Sequence, residues 1–237
     1  MGGQALVVGD VGCGAGATSI AAARANPAAR VTGMDLSVPL LAVAAERAAG
    51  LPNVGFVAGP VEDIIPAAGP FDLIVSRHGV MFFPDPVVGL AAMRAGTKPG
   101  GGLIFSCFRA PALNLWSSEI VAAMLDVPPP PPAFYAPGPF AFADEAFVRS
   151  VLAAAGWSDA TCRAIDFTYR AGAGNDPVGD AVAFFARIGP AARVLRDAPA
   201  ERRSGMLDRV AEVCTRYRNG NAVDFPAAAW LWSAENR

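Results

Sequence analysis

The 237-residue chain contains one histidine, one lysine and four cysteines, and its acidic and basic side chains nearly cancel. Each shortage excludes something. Nineteen Lys and Arg against 21 Asp and Glu leave a formal charge of −2, so there is no broad basic field to gather nucleic acid or anionic lipid. Cys13, Cys107, Cys162 and Cys214 lack the close pairs of a zinc site and the density of a disulfide framework. They read as buried free thiols of a reducing compartment, and no metal site stands out. Apolar residues make up 53% of the chain and mean hydropathy is +0.36. Even so, Arg, Asp, Gly and Pro break every apolar stretch before the roughly 18 to 20 residues of a membrane span. The opening Met1-Gly2-Gly3-Gln4 has neither the basic region nor the apolar stretch of a signal peptide. The composition describes a globular protein expected in the cytoplasm, with no membrane insertion and no nucleic-acid partner. No internal repeat is visible.

What is present is alternation. Short apolar runs alternate with helical patterns through the first half, the pattern of β-α-β units and hence of a parallel sheet. Strands are expected at Ala5–Val8, Arg30–Met34, Val54–Ala58, Phe71–Ser76 and Leu103–Cys107. Helices are expected at Thr18–Asn26, at Val38–Ala49 with Ser37 as cap, Pro39 in the first turn and Gly50 as stop, and from Asp85-Pro86 to Ala95. Lys98 to Gly102 reads as a turn. The second half differs. Pro128–Pro132 is an extended connector. Asp144 caps a helix to Ala155 that stops at Gly156, and Ala160–Phe167 has strand character. Pro177–Ile188 and Ala200–Tyr217 read as helices and Ala228–Trp232 as a last strand, so the two late strands form an edge pair carrying an insertion.

The strongest local signal is Val8-Gly9-Asp10-Val11-Gly12-Cys13-Gly14-Ala15-Gly16, between the first strand and the first helix. Glycines there permit a tight turn and remove the Cβ atoms that would keep a ligand off the backbone, while the helix offers unpaired N–H groups. Gly12-x-Gly14-x-x-Ala17 also satisfies a dinucleotide fingerprint, which keeps a nicotinamide-dependent oxidoreductase open. Asp35 follows Gly16 by 19 residues at the end of the second strand. A carboxylate there can accept hydrogen bonds from both hydroxyls of a ribose, which points to a nucleoside-bearing ligand. Gly9 stands as an extra residue between the apolar strand and Asp10, which suggests a bulge.

Asp10-Val11-Gly12-Cys13-Gly14-Ala15-Gly16, Gly33-Met34-Asp35-Leu36-Ser37, Phe71-Asp72-Leu73-Ile74-Val75-Ser76 and Lys98-Pro99-Gly100-Gly101 occur in an order and spacing that resemble class I S-adenosylmethionine-dependent methyltransferases. The resemblance spans about residues 5 to 107. Arg77 to Phe83 and Pro137 to Phe142 look like the bacterial small-molecule enzymes of the ubiquinone/menaquinone-biosynthesis-like group. It implies an α/β, Rossmann-like open sheet, mostly parallel with an antiparallel edge strand, helices on both faces and a helical insertion near the C-terminus. A single domain over residues 1–237 is implied, with a cofactor-binding half at 1–110 and a substrate-side half at 111–237 that includes a helical cap at about 177–218. S-adenosylmethionine would be the cofactor and a small-molecule methyl acceptor the partner.

Position by position, the resemblance places Asp10, Gly12, Gly14 and Gly16 against the methionine part of the cofactor, with Cys13 and Ala15 among the cofactor-binding residues of the same turn. Asp35 would take its ribose, with Leu36 beside the adenine and Ser37 also among the cofactor-binding residues, and Arg77 and His78 would face cofactor and acceptor. Two features depart from the pattern. Pro60 stands where an acid usually contacts the adenine, leaving Val61 with Glu62 or Asp63 to substitute. The helices expected ahead of the first strand are replaced by Met1 to Gln4, which implies a truncated start or an open site and keeps a degenerate, weakly active relative in view. Methyl transfer from a sulfonium is an in-line displacement that depends mainly on positioning, so His78 would act as a base, as an acceptor-orienting group, or in packing. Met81, Phe82, Phe83, Trp116, Phe134 and Tyr135 would line an apolar acceptor pocket or form core. The arginines between Arg187 and Arg218 are interleaved with acids and read as a solvated face.

Overall fold

The computed structural model describes residues 5–125, 127 and 135–237. Met1–Gln4, the run Pro128–Pro132 and Phe134 lie outside the described residues.

The expected alternation is realised: β1 (Val7–Val11), α1 (Ala17–Ala25), β2 (Arg30–Asp35), α2 (Val38–Arg47), β3 (Val54–Ala58), α3 (Val61–Ala68), β4 (Phe71–Arg77), α4 (Pro86–Ala95) and β5 (Thr97–Phe108). Then come α5 (Leu115–Met124), α6 (Glu145–Ala154), β6 (Ser158–Ala173), α7 (Pro177–Phe185), α8 (Gly189–Asp197), α9 (Ala200–Arg216), β7 (Arg218–Asn219) and β8 (Ala222–Glu235). The sheet order is β3-β2-β1-β4-β5-β8-β6, with β7 paired to β8. The pairs β1–β2, β1–β4, β2–β3 and β4–β5 are parallel. Hydrogen bonds Gly100 N–H to Asn236 O and Arg109 N–H to Ala228 O ascend on β5 as they descend on β8, so this pair is antiparallel. The late strands are neighbours, and α7, α8 and α9 fill the chain between them, as the edge-pair reading expects.

Two compact units emerge: Met1–Cys107 with Asp144–Arg163 and Trp230–Arg237, and Phe108–Ala143 with Ala164–Ala229. In the first, the central strands are apolar on both faces because helices cover both; Val8, Val31, Ile74, Leu103 and Phe105 are all buried. In the second, the core is aromatic. Trp116 stacks on Tyr169 with centroids 4.6 Å apart at 10°, and Phe108 lies 4.9 Å from Trp116.

Caps follow the sequence closely. Ser37 Oγ accepts from Leu40 N–H, Asp85 from Val87 and Val88 N–H, and Asp144 from Phe147 N–H. Other expectations need correction. The first strand runs through Gly9 and Asp10 to Val11 with an unbroken register against β2, so Gly9 makes no bulge there. The Lys98–Gly102 turn is a register shift inside β5 instead, where Phe71 pairs with Thr97 and Leu73 with Gly102. Three helices escape a reading by punctuation. Pro60 and Pro66 hide α3, but one is its N-cap and the other lies in a short eight-residue helix. The Gly189-Pro190 pair opens α8, and α5 is too apolar to show a polar face. Strands β6 and β8 run well past the segments 160–167 and 228–232.

Candidate functional site

The carboxyl ends of β1, β2 and β4, with the start of α3, surround a cleft of about 540 Å³ in the first unit. That volume falls within the roughly 300–1,000 Å³ of small-ligand sites. Its floor is the turn after β1. Gly12 and Cys13 N–H both donate to Met34 O at the tip of β2, at 2.9 and 3.1 Å. Gly12 has φ 67, and a Cβ there would come within 2.8 Å of Gly79 Cα. A Cβ on Gly79 would come within 2.7 Å of Val11 O. The two backbones therefore touch, and the turn is glycine because the segment after β4 presses against it. Gly14, by contrast, faces open space where a ligand can reach its backbone.

Asp35 ends β2 half-buried. One carboxylate oxygen accepts from Gly14 N–H and the other from Ser37 N–H, both at 2.8 Å. It thus fixes the glycine turn and the start of α2 while retaining lone pairs toward the cleft. Asp10 lies underneath, fully buried; Oδ2 accepts from the Ser19 hydroxyl at 2.6 Å and Oδ1 has no partner. Burial pushes its carboxyl up to about 6, opposed by hydrogen bonds from Ser19 and by the Arg77 charge. Cys13 is buried beside it, its thiol pushed up to about 12 by desolvation and then by Asp10 and Asp35.

The β4 end carries His78 in a left-handed backbone, φ 59, with its N–H donating to Ser106 O at 3.0 Å. Such a conformation is uncommon outside glycine and tends to mark functional turns. Burial, then the Arg77 charge, lowers the imidazole to about 4, so it is neutral at neutral pH.

Of the residues singled out from sequence, Gly12, Gly14, Asp35, Leu36, Val61, Glu62 and His78 line the cleft. Asp10 and Cys13 sit behind its floor; Ala15 and Gly16 turn the chain into α1; Ser37 caps α2; Arg77 is exposed at the end of β4. Phe82 and Phe83 line the cleft and Phe82 is 51% exposed, whereas Met81 and Trp116 are core. Pro60 lines it as well, and of the two acids after it Glu62 lines the cleft while Asp63 is exposed away from it. Gly79 is a site residue that sequence reasoning missed, because the backbone that requires it to be glycine, at Val11 and Gly12, is distant in the chain. The four cysteines are free, and among the described residues no cluster of His, Cys, Asp and Glu could hold a metal ion. No described helix is long and apolar enough to cross a membrane.

An open α/β sheet with a glycine turn after its first strand and an acid closing its second defines the Rossmann-like class. Residues 8–101 match the family model of the methyltransferase domain. That match is in keeping with the resemblance of the motifs in the same segment. A malonyl-[acyl-carrier protein] O-methyltransferase of Halalkalibacterium halodurans is 33% identical over 102 residues, 42% of this chain and 38% of that protein. The chain thus spans about two fifths of the length of the curated relatives it matches. Among solved structures, a methyltransferase candidate from Bacillus halodurans C-125 aligns with TM-score 0.60 at 18% identity, covering 99% of this chain and 94% of that one. A Haemonchus contortus phosphoethanolamine N-methyltransferase, solved in complex with S-adenosyl-L-methionine, aligns with TM-score 0.53 at 15% identity, covering 99% and 49%.

Proposed function

We propose that the chain is an S-adenosylmethionine-dependent methyltransferase acting on a small molecule, with residues 1–110 as its cofactor-binding half. The observation that carries this reading is the pairing of an open Gly14 with the Asp35 carboxylate on one wall of a cleft of suitable size. The donor set fits the cofactor. Asp35 has lone pairs for the ribose hydroxyls; Leu36, Leu40 and Val61 offer apolar walls for the adenine. Glu62, in the first turn of α3, supplies the carboxylate that Pro60 cannot, and the leading amides of that helix, which has no side-chain cap, add donors. Asp10, with its unpartnered Oδ1, holds negative charge beneath the glycine turn where the methionine ammonium would approach.

The cofactor supplies a sulfonium-bound methyl group. The chain's own residues position it and its acceptor in line and exclude water, the role of the aromatic wall at Phe82 and Phe83. The family match brings no support to an oxidoreductase, and among the described residues the cleft lining contains no Tyr-Lys pair for hydride transfer. A cytoplasmic place belongs to the same proposal, supported by the four free thiols.

Calorimetric titration with S-adenosylmethionine, S-adenosylhomocysteine and NADH tests it. Binding of the first two, weakened at least about tenfold, or about 1.4 kcal/mol, by Asp35→Ala, is expected. Binding of NADH alone would overturn it, and binding of none favours the degenerate relative.

A further inference from the structure

We infer that Arg47 is a positioning residue for the cofactor: from the last turn of α2, its guanidinium holds the glycine turn in the form that receives the methionine part of S-adenosylmethionine. This rests on the methyltransferase reading and extends it to a residue outside the cleft lining. Arg47 Nη1 donates to Ala15 O at 2.8 Å, across 32 residues of chain. Its partner is a backbone carbonyl of the turn itself, not a carboxylate.

The turn requires such support. Gly12, Gly14 and Gly16 have φ of 67, 53 and 77, and glycine loses more conformational freedom on being ordered than any other residue. The peptides of the turn are fixed in sequence. Gly12 and Cys13 N–H donate to Met34 O, and Gly14 N–H donates to Asp35 at 2.8 Å. The Ala15–Gly16 peptide is held on both sides: its N–H donates to Cys13 O inside the turn, and its C=O accepts from Arg47 outside it. Gly14, where a Cβ would meet nothing within 4 Å, therefore lies between two outside anchors, Asp35 before it and Arg47 after it. Both anchors belong to one stretch of chain, since Asp35 ends β2 and Arg47 ends α2.

Packing brings α2 to that position. A Cβ on Gly16 would lie 2.9 Å from Ala44 Cβ and 3.0 Å from the Phe56 ring, so helix and turn touch closely at Ala44, which is buried. Arg47 follows Ala44 by three residues and so stands on the same side of the helix. A cation in the last turn is also favoured by the helix dipole, but Arg47 is exposed, and a solvated contact of this kind contributes little to the fold. Its effect on the ligand and its effect on stability can thus be separated.

Calorimetry on the full chain with S-adenosylmethionine, S-adenosylhomocysteine and methylthioadenosine, which lacks the amino-acid part, makes that separation. Arg47→Ala should weaken the first two about five- to tenfold, the worth of one hydrogen bond. Methylthioadenosine affinity and the melting temperature should stay unchanged, and Arg47→Lys, which keeps a donor and the charge, should recover most of the loss. The ratio of wild-type to Arg47→Ala affinity should be equal in about 0.05 and 0.5 M salt, because the bond acts through the turn, whereas direct attraction of the cofactor's carboxylate would be screened. Amide exchange of the unliganded chain gives a readout free of any ligand: Gly16 N–H should exchange about fivefold faster in Arg47→Ala, with Val31 N–H of β2 unchanged. Equal weakening of methylthioadenosine, a loss that vanishes in high salt or persists in Arg47→Lys, or unchanged S-adenosylmethionine affinity or Gly16 exchange in Arg47→Ala would each overturn the inference. Failure of the wild-type chain to bind any of the three ligands would instead overturn the reading beneath it.

Discussion

The two compact units are specified in different ways. In the first, glycines, caps and one carboxylate do their work over short stretches of chain: Gly12 and Gly14 form a turn, Asp35 fastens it to the start of α2, and Ser37 and Asp85 begin helices. In the second, the organising contacts tie a local turn to a segment 114 residues away. Asn114, fully buried, donates to Arg109 O, Ala110 O and Ala228 O and accepts from Trp116 Nε1 and Ala228 N–H. Around it the rings of Phe108, Trp116, Phe140 and Tyr169 pack together. A turn motif constrains φ and ψ and so restricts which residues fit; a packed aromatic core accepts many sequences of similar volume. The first kind of unit preserves readable chemistry, and the family match ends at residue 101, within it.

The sharpest way to break that comparison is to injure each unit at its own kind of contact. Trp116→Ala should cost about 3–5 kcal/mol of stability, read as a large drop in melting temperature, while the affinity of the still-folded chain for S-adenosylmethionine stays within about twofold at low temperature. Gly79→Val should do the reverse. Its Cβ would meet Val11 O at 2.7 Å and Gly12 Cα at 3.1 Å, so the glycine turn must shift. A stability loss of about 2–3 kcal/mol should accompany cofactor binding weakened well beyond tenfold. Equal effects of both variants on binding would show that the division of labour is wrong.

Asp10 supplies a smaller effect, with a sign. Its carboxyl rises from 3.8 unfolded to about 6 folded, so the folded chain holds the proton more tightly. The stabilisation is complete below about pH 4 and is lost as pH rises through about 6, amounting to about 3 kcal/mol by linkage. Asp10→Asn removes the titration. The stability of wild type relative to this variant, from denaturant melts, should therefore fall between pH 4 and 7; a difference that stays flat would contradict the burial argument.

How much of this was legible follows the same line. Gly12, Gly14 and Asp35 could be read because each is required by a local constraint, a backbone conformation or a strand end. The helices α4 and α6 could be read because Asp85 and Asp144 cap them. Gly79 could not, since its reason is a backbone 67 residues earlier in the chain at Gly12. Nor could the asparagine hubs: Asn53 Nδ2 donates to Ala23 O, Asn26 O and Ala29 O, and Asn236 Nδ2 to Arg94 O and Thr97 O. An isolated asparagine in sequence suggests a turn, and nothing local reveals that it satisfies carbonyls of a distant segment. Proline carried a signal that was not used. At Pro60 and Pro190 a helix begins that the sequence reading lacks, because the missing N–H is one the first turn leaves unpaired anyway.

The smallest expected effects come from ion pairs, and they separate the units once more. Lys98 Nζ lies 2.7 Å from Asp72 Oδ1, while Asp72 Oδ2 accepts from Val7 N–H, so this pair ties the register shift of β5 to the start of β1. The hydrogen bonds from Lys98 and Val7 hold the Asp72 carboxyl below its ordinary value, which makes its contribution present above about pH 4 and lost as pH falls below that. With side chains 40% and 26% exposed, Lys98→Ala should cost only about 0.5 kcal/mol and less still in high salt. Arg170 and Asp224 make the better-looking pair, with two hydrogen bonds of 2.8 and 3.0 Å, but Arg170 is solvated. Arg170→Ala should leave the melting temperature unchanged, because water replaces what the bidentate geometry supplied. If Arg170→Ala proved the more damaging of the two, charge pairing would join aromatic packing as a determinant of the second unit.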